Sequence, residues 1–215
     1  MNGVKTRVAP ADDPETLRRA RRLLRSGQVV AFPTDTVYGV GAYAFQAEAV
    51  AALYAAKNRP ATKAIPILVA QIEDMARLAR QVPVIAWELA ERFWPGGLSL
   101  VLRRAEHIPP IVTAGGDTLA IRCPDHPLPL ALMNAVGAPL AATSANLSGQ
   151  PSPTTARQVV EQLAGRVPLI IDGGECPGGI PSSVVDLTVS PPRLLRAGAI
   201  PIEDLQDLLP DLSLP

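Results

Sequence analysis

Short apolar runs alternate with helix-patterned segments along all 215 residues, and this alternation limits the fold more than any other feature of the sequence. The apolar runs that favour buried strands are 28–32, 65–69, 98–102, 119–123, 140–143, 169–171, 184–187 and 193–195. A helix opened by Asp13-Pro14 and closed by Gly27 comes first, and further helices are expected at 47–57, 72–80, 84–93, 128–136, 155–163 and 202–209. The alternation predicts a layered α/β domain.

Composition removes several classes of function. Lys and Arg together number 20, as do Asp and Glu, so the whole chain shows no basic footprint for nucleic acid. Cys123 and Cys176 are too few for a disulfide scaffold and lack metal-ligand spacing. The first residues have no apolar region typical of a signal peptide, and no apolar run approaches the ~18 residues of a membrane span. We therefore expect a cytoplasmic protein.

The common phosphate-binding and catalytic motifs do not occur in the sequence. It contains neither a P-loop nor the glycine fingerprint of dinucleotide-binding folds. His107 and His126 lie in proline-rich loops outside any recognisable triad or metal motif. An enzyme with this sequence would therefore act mainly by placement and charge.

Polar residues cluster where two predicted strands end. Residues 32–41 carry Thr34 and Thr36 before two glycines. The hydroxyls could bind a small polar ligand, and the glycines would allow a close approach between backbone and ligand. Residues 143–149, continued by Ser152, supply neutral donors and acceptors. In open α/β sheets, ligands bind outside the carboxyl ends of strands. Either cluster could instead be an ordinary polar turn.

Cations cluster between a predicted helix and a strand. Lys57, Arg59 and Lys63 fall within seven residues, although only three of the chain's 20 cationic residues are lysine. One cation could complement the helix dipole. Three cations directed into a cleft would suit a polyphosphate. Five arginines between positions 18 and 25 form either a solvated helix face or an RNA-binding patch.

A fourth cluster lies towards the C-terminus. It consists of residues 181–186 and 194–198, joined by Arg122 at the end of a predicted strand. A guanidinium there is well suited to hold a carboxylate or phosphate, or it could pair with a structural aspartate.

Taken in order, these clusters resemble the YrdC-type threonylcarbamoyladenylate synthase family. The similarity rests on Lys57-x-Arg59 with Ser144-x-Asn146, and on residues 33–39, 94–96 and 181–186. It covers about 17–200, nearly the whole chain. It implies one domain over 1–215, with a helical tail at 201–215, and a twisted mixed sheet with flanking helices around a deep basic cleft.

The resemblance implies a reaction and its partners. L-threonine, bicarbonate and ATP, the last with Mg²⁺, would give threonylcarbamoyl-AMP and pyrophosphate, with no permanently bound cofactor or metal. A transferase would then move the threonylcarbamoyl group onto the tRNA adenosine beside the anticodon, and weak direct tRNA binding is also allowed. An RNA-binding protein without this chemistry, or a paralogue with another carbamoyl or acyl substrate, is the alternative.

The resemblance also assigns residues. Those expected to bind L-threonine are Thr36, Arg122, Ala142 and Ser182. Those expected to bind ATP are Arg59, Lys63, Thr118, Ser144, Asn146, Ser152 and Arg196. Lys57 is the candidate catalytic residue, for charge at the α-phosphate or on the carbamate.

Two departures from the family pattern bear on the site. Family members often have a histidine in the strand after the cation cluster, but residues 65–70 contain none. Longer members carry a second domain, so closure over this site would need residues 202–215, another loop or a partner.

Overall fold

The computed structural model describes residues 4–177 and 180–215. The strands within these ranges are β1 Arg7–Pro10, β2 Val30–Phe32, β3 Gly39–Tyr43, β4 Ile67–Leu68, β5 Leu98–Arg103, β6 Thr118–Arg122, β7 Leu140–Ser144, β8 Leu169–Asp172, β9 Ser183–Asp186 and β10 Arg193–Arg196. The α-helices are α1 Pro14–Arg25, α2 Ala47–Lys57, α3 Met75–Leu78, α4 Val84–Phe93, α5 Pro127–Val136, α6 Ala156–Leu163 and α7 Ile202–Gln206. None of these helices is long and apolar enough to cross a membrane.

The described strands form one mixed sheet in the order β1-β8-β2-β3-β7-β4-β6-β5-β9-β10. Parallel pairs join β1 to β8, β8 to β2, β4 to β6 and β5 to β9, and the other neighbours run antiparallel. The predicted α/β class, with a mixed sheet and flanking helices, is confirmed.

Helices cover both faces of the sheet. Side chains alternate across β2, where Val30 and Phe32 join one apolar cluster and Ala31 joins the other. The smaller cluster packs α1 and α5 on one face, through residues such as Leu24 and Met133. The larger cluster packs α2, α4 and α6 on the opposite face. The functional residues must therefore emerge from loops and strand ends that this core holds rigidly.

Sequence patterning missed two strands. The glycine-rich segment of β3 resembles a loop, but its glycines let the strand pass close to the Phe32 ring. A Cβ added at Gly41 would lie 3.1 Å from that ring, and one at Gly39 would lie 3.3 Å from it. The short edge strand β1 has one buried residue, Ala9, and so gives almost no periodic signal.

Two other segments differ from the sequence prediction. The helix expected over 72–80 is a 3₁₀ turn, Ile72–Asp74, followed by α3, because Ala79 turns extended and forms a β-bridge with Arg104. The helix expected over 202–209 ends at Gln206. Leu205, Leu209 and Leu212 nevertheless join the larger core cluster. The tail therefore packs into the body.

Candidate active site

The polar clusters predicted from the sequence meet around a cavity of about 380 Å³. The predicted site residues that line it are Thr36, Arg122, Ala142, Ser144, Ser152, Ser182 and Arg196. Arg122 and Arg196 are the charged members of the described lining, which contains no carboxylate. The lining therefore favours an anionic ligand. None of residues 202–215 lines the cavity.

The cavity extends along the sheet instead of lying outside one edge. Ile67 of β4 pairs with Ile121 of β6 and with Ala141 of β7, and β6 and β7 run in opposite directions. Arg122 and Ser144, each at the carboxyl end of its strand, are therefore separated along the strands by about 10–13 Å at 3.3 Å per residue. This separation gives the site two ends that can bind different parts of a reacting pair.

At one end, Arg122 is held by two groups. Its Nη2 donates to Asp35 Oδ2, and both side chains are largely buried. Its Nε donates to the Gly96 carbonyl at 2.9 Å, and Gly96 N donates to the Cys123 carbonyl at 2.8 Å. The structure thus shows the pairing with an aspartate that the sequence left open, on a guanidinium that also faces the cavity. Neither bond uses Nη1.

Two threonine hydroxyls lie in the turn that carries Asp35, the partner of this arginine. Thr34 Oγ1 donates to the Val37 carbonyl at 2.7 Å and lies 3.1 Å from Thr36 Oγ1. Thr36 N donates to the same Thr34 oxygen at 3.2 Å. These local bonds fix the turn between β2 and β3, and with it the Thr36 hydroxyl at the cavity wall.

A second hydroxyl pair lies opposite, where β9 begins. The Ser99 and Ser182 hydroxyls are 2.9 Å apart, and both residues are buried. Arg196 Nη2 donates to the Ser182 carbonyl at 2.8 Å and to its hydroxyl at 3.0 Å. This close packing requires a glycine nearby, since a Cβ at Gly198 would lie 2.3 Å from the Pro181 carbonyl oxygen.

At the other end, Lys57 and Asn146 lie behind the cavity wall. Lys57 is 1% exposed, and its Nζ donates to the carbonyls of Ser144 and Asn146. Burial, together with the charge of Arg59, lowers the pKa of Lys57 to about 8. Asn146 Nδ2 donates to the carbonyls of Leu147 and Gln150 at 2.8 and 2.7 Å. Neither side chain is among the described residues that line the cavity.

The remaining predicted residues also lie outside the described lining. Arg59 donates to the carbonyls of Lys63 and Ala64 at 3.0 and 2.6 Å, and burial lowers its pKa. Lys63 is exposed. Thr118 begins β6, four residues before Arg122 and on the same face of the strand. The three cations therefore do not share one environment. Lys57 is buried, Arg59 bonds carbonyls of its own loop and Lys63 is exposed.

Comparison with known proteins identifies the family of this chain. Residues 22–198 match the Sua5/YciO/YrdC family, which carries the description "Telomere recombination". The chain belongs to this family.

Several relatives of the chain are named threonylcarbamoyl-AMP synthase. A threonylcarbamoyl-AMP synthase of Pyrococcus abyssi is 45% identical over 92% of this chain and 58% of its own length. One of Bacillus subtilis is 45% identical over 92% and 57%. One of Vibrio campbellii is 33% identical over 82% of this chain and 96% of its own length. The chain thus spans under two thirds of the first two relatives.

Solved structures of the family share the fold. P. abyssi Sua5 complexed with L-threonine superimposes with a TM-score of 0.92 at 42% identity, over 99% of this chain and 62% of that one. Escherichia coli YciO superimposes with a TM-score of 0.81 over 94% and 98% of the two chains. At 23% identity, that likeness shows the fold alone.

Sequence reasoning missed several lining residues of this family member. They are Pro66, Leu68 and Ser99, whereas Thr34, Val37, Gly39, Thr143 and Pro181 lie within the predicted polar clusters but were assigned no ligand. Ser99 carried a detectable signal, because it is the one hydroxyl in an apolar strand. Pro66 and Leu68 come from the segment where the family often has a histidine, so that part of the wall is apolar here. Among the described residues, no cluster of three or more His, Cys, Asp or Glu side chains could hold a metal ion.

Proposed function

We propose that this chain is an L-threonylcarbamoyladenylate synthase. It would join L-threonine, bicarbonate and ATP into threonylcarbamoyl-AMP, releasing pyrophosphate and water. The observation that carries the proposal is a single cavity whose two ends, one at Arg122 and one at Ser144, lie about 10–13 Å apart along the strands. Relatives named threonylcarbamoyl-AMP synthase, and a relative's complex with L-threonine, support it.

Threonine would bind at the Arg122 end. A guanidinium offers paired donors to a carboxylate, and Nη1 takes no part in the bonds to Asp35 and Gly96. The hydroxyls of Thr36 and Ser182 at the cavity wall would accept or donate bonds to the amino acid's polar groups. The backbone of Ala142 would complete this end.

ATP would bind towards the Ser144 end. Ser144 and Ser152 line the cavity there and would contact the nucleotide directly. Arg196, which lines the cavity beside Ser182 at the Arg122 end, would reach the nucleotide from that side. Arg59, Lys63 and Thr118 would reach it from the adjoining surface. Mg²⁺ would arrive with ATP as part of the substrate, held by phosphate oxygens, because nucleotide-bound Mg²⁺ needs few protein ligands. Fixed positive groups would offset charge that grows on the phosphates.

The chemistry requires two bond-forming steps. The neutral amine of threonine would attack the carbon of CO₂ or bicarbonate to give a carbamate. A carbamate oxygen would then attack the α-phosphorus, and the bond to pyrophosphate would break. Positioning contributes most to such a reaction, and no side chain acts as a covalent nucleophile. The product would pass to a transferase that modifies tRNA.

The alternative of an RNA-binding protein has less support. Arg18 and Arg22 of α1 pair with Glu15 at 2.8 and 2.7 Å, and Arg25 donates to the Val136 carbonyl. These bonds are what a solvated helix face provides. Weak tRNA binding stays a prediction.

The proposal is tested by omission. Purified protein is incubated with ATP, bicarbonate and L-threonine, and each substrate is left out in turn while pyrophosphate is measured. Mass spectrometry should find threonylcarbamoyl-AMP only in the complete mixture. Pyrophosphate release that is indifferent to threonine would overturn the proposal, and RNA binding with a steep salt dependence and no adenylate would favour the alternative.

A further inference from the structure

We infer that Lys57 is a positioning residue, whose buried ammonium fixes the 144–150 loop and thereby the nucleotide end of the cavity wall. The inference about nucleotide rests on the proposed function, whereas the inference about the loop does not. It replaces the expectation that Lys57 presents its charge to the reacting phosphate. Three observations carry it: the acceptors of Lys57, its burial, and the bonds within the loop.

The donors of Lys57 are consumed by the loop. Its Nζ donates to the backbone carbonyls of Ser144 and Asn146, and lies 3.4 Å from Asn146 Oδ1. An ammonium has three hydrogens, so these three acceptors account for all of them. At 1% exposure, the side chain has no open surface for a ligand.

No counter-ion explains this buried charge. Among the described residues, no carboxylate oxygen lies within 4 Å of Lys57 Nζ. A buried ammonium is costly unless its hydrogens are all bonded, so the carbonyls must stay where they are as long as the charge is present. The negative end of the dipole of α2, whose last residue is Lys57, adds a favourable contribution.

The loop closes back onto the same residue. Ser148 N donates to the Lys57 carbonyl at 2.9 Å, so side chain and backbone of Lys57 hold opposite ends of the turn. Within it, Ser144 Oγ lies 2.5 Å from Asn146 Oδ1. Leu147 N donates to Gln162 Oε1 of α6 at 3.0 Å. Removal of the ammonium would release the carbonyls of Ser144 and Asn146, and with them the hydroxyl of Ser144 at the cavity wall.

The experiment compares Lys57→Met with the wild-type protein. Met keeps most of the length of the side chain and removes its charge and donors. Hydrogen exchange should show the amides of residues 144–150 exchanging about 10-fold faster or more, from the loss of bonds to a charged donor. Binding of AMP, measured by calorimetry, should weaken by about 10-fold, while the KM for threonine changes little.

A matched variant controls for the loss of one positive charge. Lys5 is exposed and lies far along the chain from the loop, so Lys5→Met should leave exchange and AMP binding unchanged. A Lys57→Met protein whose loop exchanges like wild type, but whose kcat falls, would overturn the inference in favour of direct contact with phosphate. If threonine-dependent activity is never found, the exchange measurement still decides the role of Lys57 in the loop.

Discussion

Arg122 and Lys57 are two buried cations beside one cavity, and different groups compensate their charges. Arg122 pairs with a carboxylate and a carbonyl, yet its guanidinium still lines the cavity. Among the residues that the structure describes, Lys57 has no carboxylate partner, and it gives its hydrogens to carbonyls and an amide. A planar guanidinium has five N–H donors, so it can bond the protein and a ligand at the same time. An ammonium has three, and all three of those on Lys57 are used within the protein.

The largest effect should follow Arg122→Ala, which removes one of the two arginines in the described cavity lining. The KM for threonine should rise about 100-fold, because a bond from a charged donor to a carboxylate is lost. The variant should also lose about 3 kcal/mol of unfolding free energy, because Asp35 is left buried without its partner. Steady-state kinetics and denaturant unfolding measure the two effects separately.

The double variant Asp35→Asn with Arg122→Ala separates the effect on the KM for threonine from the effect on stability. With both charges removed, most of the unfolding free energy should return, but threonine use should not. Recovery of threonine use together with stability would show that Arg122 serves the fold alone.

Titration of Lys57 should sharpen the contrast, because the pKa of a lysine shifts readily when the side chain is buried. Burial lowers the pKa of Lys57 to about 8, and Arg59 is the charged group that adds to this effect. AMP binding should therefore weaken several-fold as the pH rises above about 8, when the ammonium loses a proton. Calorimetry across this range measures it, and Lys57→Met should lack the decline.

The stability contributed by Lys57 should move in the opposite direction. A pKa lowered on folding means that the unfolded chain binds the proton more tightly between the folded and unfolded values. The unfolding free energy of wild type, measured relative to Lys57→Met, should thus rise with pH above about 8. An unfolding free energy that fell over this range would show that the pKa of Lys57 is not lowered on folding.

The sequence supported prediction of the fold class and the cavity-lining hydroxyls, because strand ends carry polar residues in a recognisable order. The sequence could not predict whether the Lys57 side chain faces a ligand or bonds a loop, because three clustered cations are compatible with both. The strand β3 was missed because its glycines serve close packing on Phe32, a tertiary requirement that no local pattern records. Asp35 and Arg122 are 87 positions apart, so local sequence patterns could not identify them as partners either.

The smallest effect should follow Ser99→Ala at the Arg122 end. Ser99 donates to or accepts from Ser182 at 2.9 Å, but Ser182 keeps its bond from Arg196 at 3.0 Å. Loss of one neutral bond is worth about 1 kcal/mol, so the KM for threonine should rise about 5-fold with ATP use unchanged. Ser183→Ala is the matched control, because Ser183 bonds the Ile200 backbone and does not line the cavity. That variant should lose stability and keep its KM. Equal changes in both variants would mean that the serines act through the fold, and that the Arg122 end depends on fewer hydroxyls than its geometry indicates.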